Sequence, residues 1–186
     1  MPIIGIAGGS AGGKSTFAEK LCQQFSETEV TVLHMDSFFK KKEDRPYLPS
    51  HLSGKYYVDD NCPDTIDWDK WHDALDDAMQ SGCKIVIVEG LLVFWDKYTL
   101  DRLDLRLFVD CRPDERIVRR IRRNMQWGQT FDDIADVYLD MVRFRHDTYV
   151  EPTKWCADVI INGAGNTDAV CQMCVQYIKS LLGQGK

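Results

Sequence analysis

The chain has 186 residues, 44% of them hydrophobic and 28% charged, with a formal net charge of −6. That length supports one substantial core and is short for two, so a single domain over residues 1–186 is expected. The acidic balance argues against a nucleic-acid surface, which needs lysines and arginines to neutralise phosphates, and no apolar run approaches the length of a membrane span.

The first stretch, IIGIAGGSAGGKSTF from Ile3 to Phe17, is an apolar run that passes into a glycine-rich turn and then a helical pattern. Gly8, four residues, Gly13, Lys14 and Ser15 match G-x-x-x-x-G-K-[ST], the phosphate-binding loop. Gly8, Gly9, Gly12 and Gly13, with Ser10 and Ala11 between them, let the backbone approach an anion closely and turn its N–H groups toward it. Lys14 is expected to reach the β- and γ-phosphates of ATP, Ser15 to hold Mg²⁺, and Thr16 to stand at the start of the helix, whose positive end faces the site. Because the strand-like run begins at Ile3, no leader is expected and the cytoplasm is the expected compartment.

The helix is predicted over 14–25, and the β-branched run VTVLHM predicts a strand over 30–35. Asp36 follows at the carboxyl end of that strand, where open α/β sheets bind ligands. It is the candidate base for an acceptor hydroxyl and a candidate Mg²⁺ ligand; a turn or cap aspartate is the alternative reading. Periodicity lapses over 40–63, where Pro46, Pro49 and Gly54 mark a long surface segment. An acceptor-binding segment is drawn at about 36–67, with Asp36, Phe39, Tyr56, Tyr57, Asp60 and Asn61 as candidate contacts; Tyr47 and Asp59 offer a further ring and a further carboxylate.

Trp68, Trp71, His72, Leu75 and Met79 recur at helical spacing, with Asp64 or Asp67 available as cap, and His72 reads as a packed residue. KIVIVE over 84–89 reads as a buried parallel strand ending in Glu89, the candidate to complete the Mg²⁺ site. A strand over 103–110 precedes a helix opening with Pro113, Asp114 and Glu115. That helix carries Arg116, Arg119, Arg120, Arg122 and Arg123, and either forms a solvated basic face or covers a transferring phosphate. On the second reading it belongs to a lid at about 116–131 in which Arg119, Arg120 and Arg123 act catalytically beside Lys14. A helix over 131–149, a strand over 157–161, a turn at 162–166 and a last helix complete the chain, so about five strands alternate with helices and predict a parallel sheet covered on both faces. The seven cysteines form no secreted-domain framework, and the C-x-x-C pair Cys171 and Cys174 falls in the last helix without a second ligand pair.

Taken together, GIAGGSAGGKST, MDSFFK, VEGLLVF, RRIRR and above all EPTKWCADVIINGAGN resemble the uridine kinase branch of the phosphoribulokinase and uridine kinase family. The resemblance implies an α/β P-loop NTPase fold of the nucleoside-monophosphate-kinase-like kind, a three-layer sandwich on a five-stranded parallel sheet, with ATP and Mg²⁺. It implies that Asp36 is the base and that Gly163, Ala164, Gly165 and Asn166 border the adenine. Three departures stand out. Only residues 80–83 separate the tryptophan-bearing helix from the strand ending in Glu89, leaving no room for the family's pyrimidine-holding strands; Asn61 replaces an aspartate that binds ribose hydroxyls; and Trp127-Gly128-Gln129 replaces an arginine-glycine-arginine. The implied activity is transfer of phosphate from ATP to the 5′-hydroxyl of a nucleoside. Nicotinamide riboside is the alternative acceptor, and a nucleotide-dependent switch or binding module the alternative of another class. The implied partners are ATP and a small-molecule acceptor, without nucleic acid or membrane.

Overall fold

The computed structural model describes residues 1–184. Among them the strands are β1 (Ile3–Gly8), β2 (Val30–His34), β3 (Tyr47–Pro49), β4 (Tyr56–Val58), β5 (Ile85–Glu89), β6 (Leu105–Asp110) and β7 (Val159–Asn162). The α-helices are α1 (Lys14–Cys22), α2 (Trp68–Gln80), α3 (Lys97–Leu100), α4 (Pro113–Gln126), α5 (Phe131–Val137), α6 (Arg143–Arg145) and α7 (Asp168–Gln184). Five strands form one parallel sheet in the order β2-β5-β1-β6-β7.

Two-sided burial explains the apolar runs. Every residue of β1 and of β5 is buried, as expected where helices cover both faces. Successive side chains of β5 alternate: Val86 and Val88 join Trp71, Leu75 and Phe108 on one face, while Ile85 and Ile87 join Phe17, Leu21, Val175 and Ile178 on the other. Sheet and helices therefore make the three-layer α/β architecture expected from the sequence. The register sets Ile6 of β1 and His34 of β2 beside Glu89 of β5, so the carboxyl ends of the central strands finish together.

Local boundaries differ from expectation in instructive ways. α1 stops at Cys22, and β2 gives way at Met35 to a 3-10 turn, Met35–Phe38, that carries Asp36. The 40–63 stretch, expected to lack regular structure, contains the antiparallel β3–β4 hairpin and a 3-10 turn, Lys42–Asp44. Its strands are only three residues long and largely exposed, too short and too wet to display alternation. Asp67, rather than Asp64, caps α2 by accepting the N–H of Lys70. The helix expected over 131–149 is a chain of α and π turns, with the wider turns at Tyr138–Val142 and His146–Val150. Cys171 and Cys174 are buried, and burial pushes the Cys174 thiol up to about 11. No helix among the described residues is long and apolar enough to cross a membrane.

Candidate active site

The glycine loop between β1 and α1 is built from conformations that side chains resist. Gly8 has φ +142, and a Cβ there would lie 2.3 Å from the carbonyl oxygen of Val109; Gly13, capping α1, has φ +104. The Gly12 N–H donates to the Gly9 carbonyl at 3.0 Å and closes the turn. A Cβ on Gly9 would meet the Arg116 guanidinium at 2.3 Å, so that arginine, itself buried, underlies the loop. Lys14 Nζ donates to the Gly9 carbonyl at 3.3 Å. Burial lowers the pKa of Lys14, Glu89 and Asp36 oppose the shift, and Arg123 and Arg116 reinforce it.

Glu89 is 6% exposed at the end of β5. One of its oxygens accepts from Ser15 Oγ at 3.1 Å and meets His34 Nδ1 at 2.8 Å. Ser15, Glu89 and His34 thus converge from three elements, and the first two are hard oxygen ligands of the type Mg²⁺ takes. A glycine loop with no room for a Cβ at positions 8, 9 and 12, with Lys14 beside it and the Ser15 hydroxyl next to the Glu89 carboxylate, fits a nucleotide phosphate chain with its cation.

One cavity of about 760 Å³ joins this loop to the other sequence candidates. Ser10, Ala11, Gly13, Lys14, Ser15 and Thr16 form one wall; Asp36, Phe39, Asp60, Asn61 and Glu89 form another. Arg119, Arg120, Arg123, Asn124, Trp127 and Gln129 line the third. Arg120 and Arg123 reach Ser10 Oγ at 3.2 and 3.5 Å. Burial lowers the pKa of Arg120, with Arg123 adding to the shift and Asp60 opposing it. Arg122 is exposed and does not line this cavity. An adjoining cleft of about 380 Å³ is bordered by Gly163, Ala164, Gly165 and Asn166, and Arg119 spans both openings by donating to the Gly163 carbonyl at 3.0 Å.

Other candidates lie elsewhere. Tyr56 and Tyr57 are not on the cavity wall: Tyr56 packs on Tyr47 within the hairpin, ring centres 5.3 Å apart, and the Tyr57 hydroxyl donates to Asp140 at 3.0 Å. The hairpin faces the helical run after α5 instead of the phosphate loop. Asp59 is fully buried, paired with Arg145 at 2.5 Å and accepting the Asn61 N–H at 3.0 Å, so it offers nothing to a sugar. Asp60 does face the cavity, held by Arg45 at 2.9 Å. Arg116, which the sequence groups with the other α4 arginines as a solvated face or a phosphate cover, is instead buried under the loop, and the sequence does not single out His34. Arg116 differs from its neighbours only by position on α4, and His34 sits in a half-buried strand; helical phase and register, which place them, require the fold.

The model of the phosphoribulokinase/uridine kinase family matches residues 3–75 and 68–170. The chain belongs to this family. It is 30% identical over 203 residues to a uridine kinase of Oceanobacillus iheyensis, covering 98% of this chain and 96% of that protein. A uridine kinase of Clostridium perfringens is 32% identical over 202 residues, with 97% and 96% covered. In fold it is similar to a protein assigned as a fructose transport system kinase from Silicibacter sp. TM1040, with TM-score 0.60 at 14% identity over 86% of this chain and 88% of the other. The chain is accordingly a kinase of the P-loop class, a phosphotransferase whose relatives act on nucleosides.

Proposed function

We propose that the protein transfers the γ-phosphate of ATP to the 5′-hydroxyl of a nucleoside, with uridine and cytidine as the first acceptors to try. What carries this reading is that Lys14 and Asp36 line the same cavity, one from the phosphate loop and the other from the turn after β2. Asp36 is exposed to solvent, as a base that must meet an incoming hydroxyl needs to be. In the proposed reaction Asp36 takes the proton of the acceptor hydroxyl as its oxygen bonds to the γ-phosphorus and the bond to the ADP oxygen breaks. Lys14, Arg119, Arg120 and Arg123 hold the charge that spreads over the phosphoryl oxygens. Ser15 and Glu89 are the residues that would hold Mg²⁺, which supplies charge neutralisation across the phosphates. Asp60 and Asn61 present acceptor and amide groups for the sugar, and residues 116–131 serve as the lid of a single kinase domain.

Nicotinamide riboside is the second acceptor. It is favoured by the direct passage from α2 to β5 through residues 81–84, which leaves no strand there to read a pyrimidine edge. An ATP-consumption screen over nucleosides, nicotinamide riboside, free sugars and pantothenate tests both. Turnover with a riboside is expected; consumption with a sugar or pantothenate alone overturns the nucleoside reading and leaves the kinase standing.

A further inference from the structure

Trp127 is 69% exposed, in a molecule whose other cavity-facing ring, Phe39, is half-buried beneath Arg45. It follows the last residue of α4 in a turn closed by Gly128, whose φ of +87 ends the helix. The turn is pinned: the N–H groups of Trp127 and Gly128 donate to the carbonyls of Asn124 and Met125 at 3.0 Å, and the Asn124 amide donates to Gln129 at 2.7 Å. So large a ring at the surface of a fixed turn leaves apolar area in water that packing would ordinarily remove.

The ring lines the cavity that also holds the acceptor candidates Asp36, Asp60 and Asn61, together with Arg120 and Arg123 from the end of α4. Arg119, one turn before Arg123 along the same side of α4, reaches Gly163 beside the second cleft. Trp127 continues from Arg123, whose guanidinium carbon lies 4.9 Å from the indole centre. That cation holds one face of the ring and orients it, and the exposed remainder leaves the other face available. The hairpin tyrosines are turned away, so among the described cavity-lining residues Trp127 is the exposed aromatic surface.

We propose that Trp127 is the residue that binds the acceptor's aromatic base, by stacking it on the open face of the indole. The inference rests on the nucleoside kinase reading and adds to it the group that holds the base. Stacking is tolerant of base identity, because every base offers a π face. It therefore accounts for recognition of a riboside without strands that read a pyrimidine edge, and it gives a specificity for aromatic aglycones over bare sugars.

The test uses the riboside that the screen shows to be turned over, with Trp127→Ala and Trp127→Phe. Loss of a stacking partner is worth about fivefold to a hundredfold in affinity. The acceptor KM is expected to rise by at least about fivefold in Trp127→Ala and to be largely restored in Trp127→Phe, while the KM for ATP stays as in the wild type. A binding readout accompanies the kinetics: acceptor added without ATP should quench tryptophan emission in the wild type and leave Trp127→Phe unquenched. An unchanged acceptor KM in a folded Trp127→Ala variant overturns the inference while the nucleoside reading stands. A rise confined to the KM for ATP also overturns it, since the ring would then serve the donor. Absence of turnover with any riboside removes the reading on which it rests.

Discussion

The closest approach between the phosphate loop and the turn after β7 gives a sharp mutational test. A Cβ on Gly163 would lie 2.2 Å from the carbonyl oxygen of Gly12, 2.9 Å from Val109 Cγ1 and 3.1 Å from the carbonyl oxygen of Asp110. Two of the three are backbone atoms that cannot swing aside, and the Gly163 N–H is tied to Asp110 at 2.6 Å. Gly163→Ala must therefore push the phosphate loop back by roughly 1 Å to restore ordinary contact. Misplacement on that scale at a phosphoryl-transfer site costs about a hundredfold in rate. Overpacking elsewhere in a structure costs about 1–3 kcal/mol, so the fold should survive with a modest loss in Tm. Steady-state ADP release at varied ATP should show kcat/KM for ATP falling by about two orders of magnitude, with a melting transition still present. Gly183→Ala is the control: it lies in α7 with nothing within 4 Å of the added Cβ, and activity should stay within about threefold of wild type. Wild-type ATP kinetics in Gly163→Ala would refute the claim that these two loops together shape the donor site.

Asp36→Asn keeps the shape of the side chain and removes the base, so turnover should fall by about a hundredfold or more while ATP binding, followed calorimetrically with Mg²⁺ present, holds; a collapse of ATP affinity would make Asp36 chiefly a metal ligand. At least one of Arg119→Ala, Arg120→Ala and Arg123→Ala should lose rate without losing thermal stability, and three fully active variants would return the α4 arginines to a solvated face. His146 gives a pH test of stability. Burial, reinforced by Arg116, pushes its pKa from 6.5 to about 4, with Glu151 and Asp147 opposing. The unfolded chain then takes up a proton below pH 6.5 that the folded protein resists, so stability is full above that pH and declines toward pH 4, by about 2 kcal/mol at pH 5. Urea unfolding at pH 7.5 and pH 5 should show this loss in the wild type and a smaller one in His146→Gln; equal losses would place the pH sensitivity elsewhere.

What was legible in the sequence follows from whether the signal is local. The phosphate loop is read directly because its glycines are needed by its own backbone, as the positive φ of Gly8 and Gly13 shows. The strand ending in Glu89 is legible because two-sided burial demands an unbroken apolar run. The sheet order is not local, and only the register brings Ser15 and His34 to the same carboxylate. Tyrosines in a loop offer stacking surfaces, which points Tyr56 and Tyr57 toward a ligand on sequence grounds; a three-residue strand gives no sign of which way its faces turn, and they turn toward Tyr47 and Asp140. Asp59 and Asp60 are adjacent and chemically identical, yet one is buried against Arg145 and the other faces the cavity. Partner placement decides between them, and Arg145 is far away in the chain.

That pair also ties the two halves of the cavity together. Asp59 fixes the backbone of Asn61, and Asp59 is in turn fixed by Arg145 on α6, in the helical run that begins just after the Trp127 turn. The hairpin makes further links to the same run, through Ser53 and Tyr57 to Asp140 and through Lys55 to Asp136 at 2.7 Å. The Lys55 pair is well exposed and contributes little. The Asp59–Arg145 pair has a fully buried carboxylate, and removing its cation would leave that charge uncompensated at a cost of about 3–5 kcal/mol. Arg120 and Arg123, in the last two turns of α4, by contrast touch the phosphate loop through single contacts to Ser10 that can break and re-form, whereas Arg116 near the start of the helix is buried beneath Gly9. The acceptor side is strongly tied, while only the last two turns of α4 meet the phosphate loop through breakable contacts. A shift of those turns with α5 would therefore carry the Asp60 and Asn61 wall with it and leave the loop, seated on Arg116, in place. The acceptor pocket would then tighten or open as one body against a fixed donor site, which is the motion an enzyme needs if water is to be excluded only when both substrates are present.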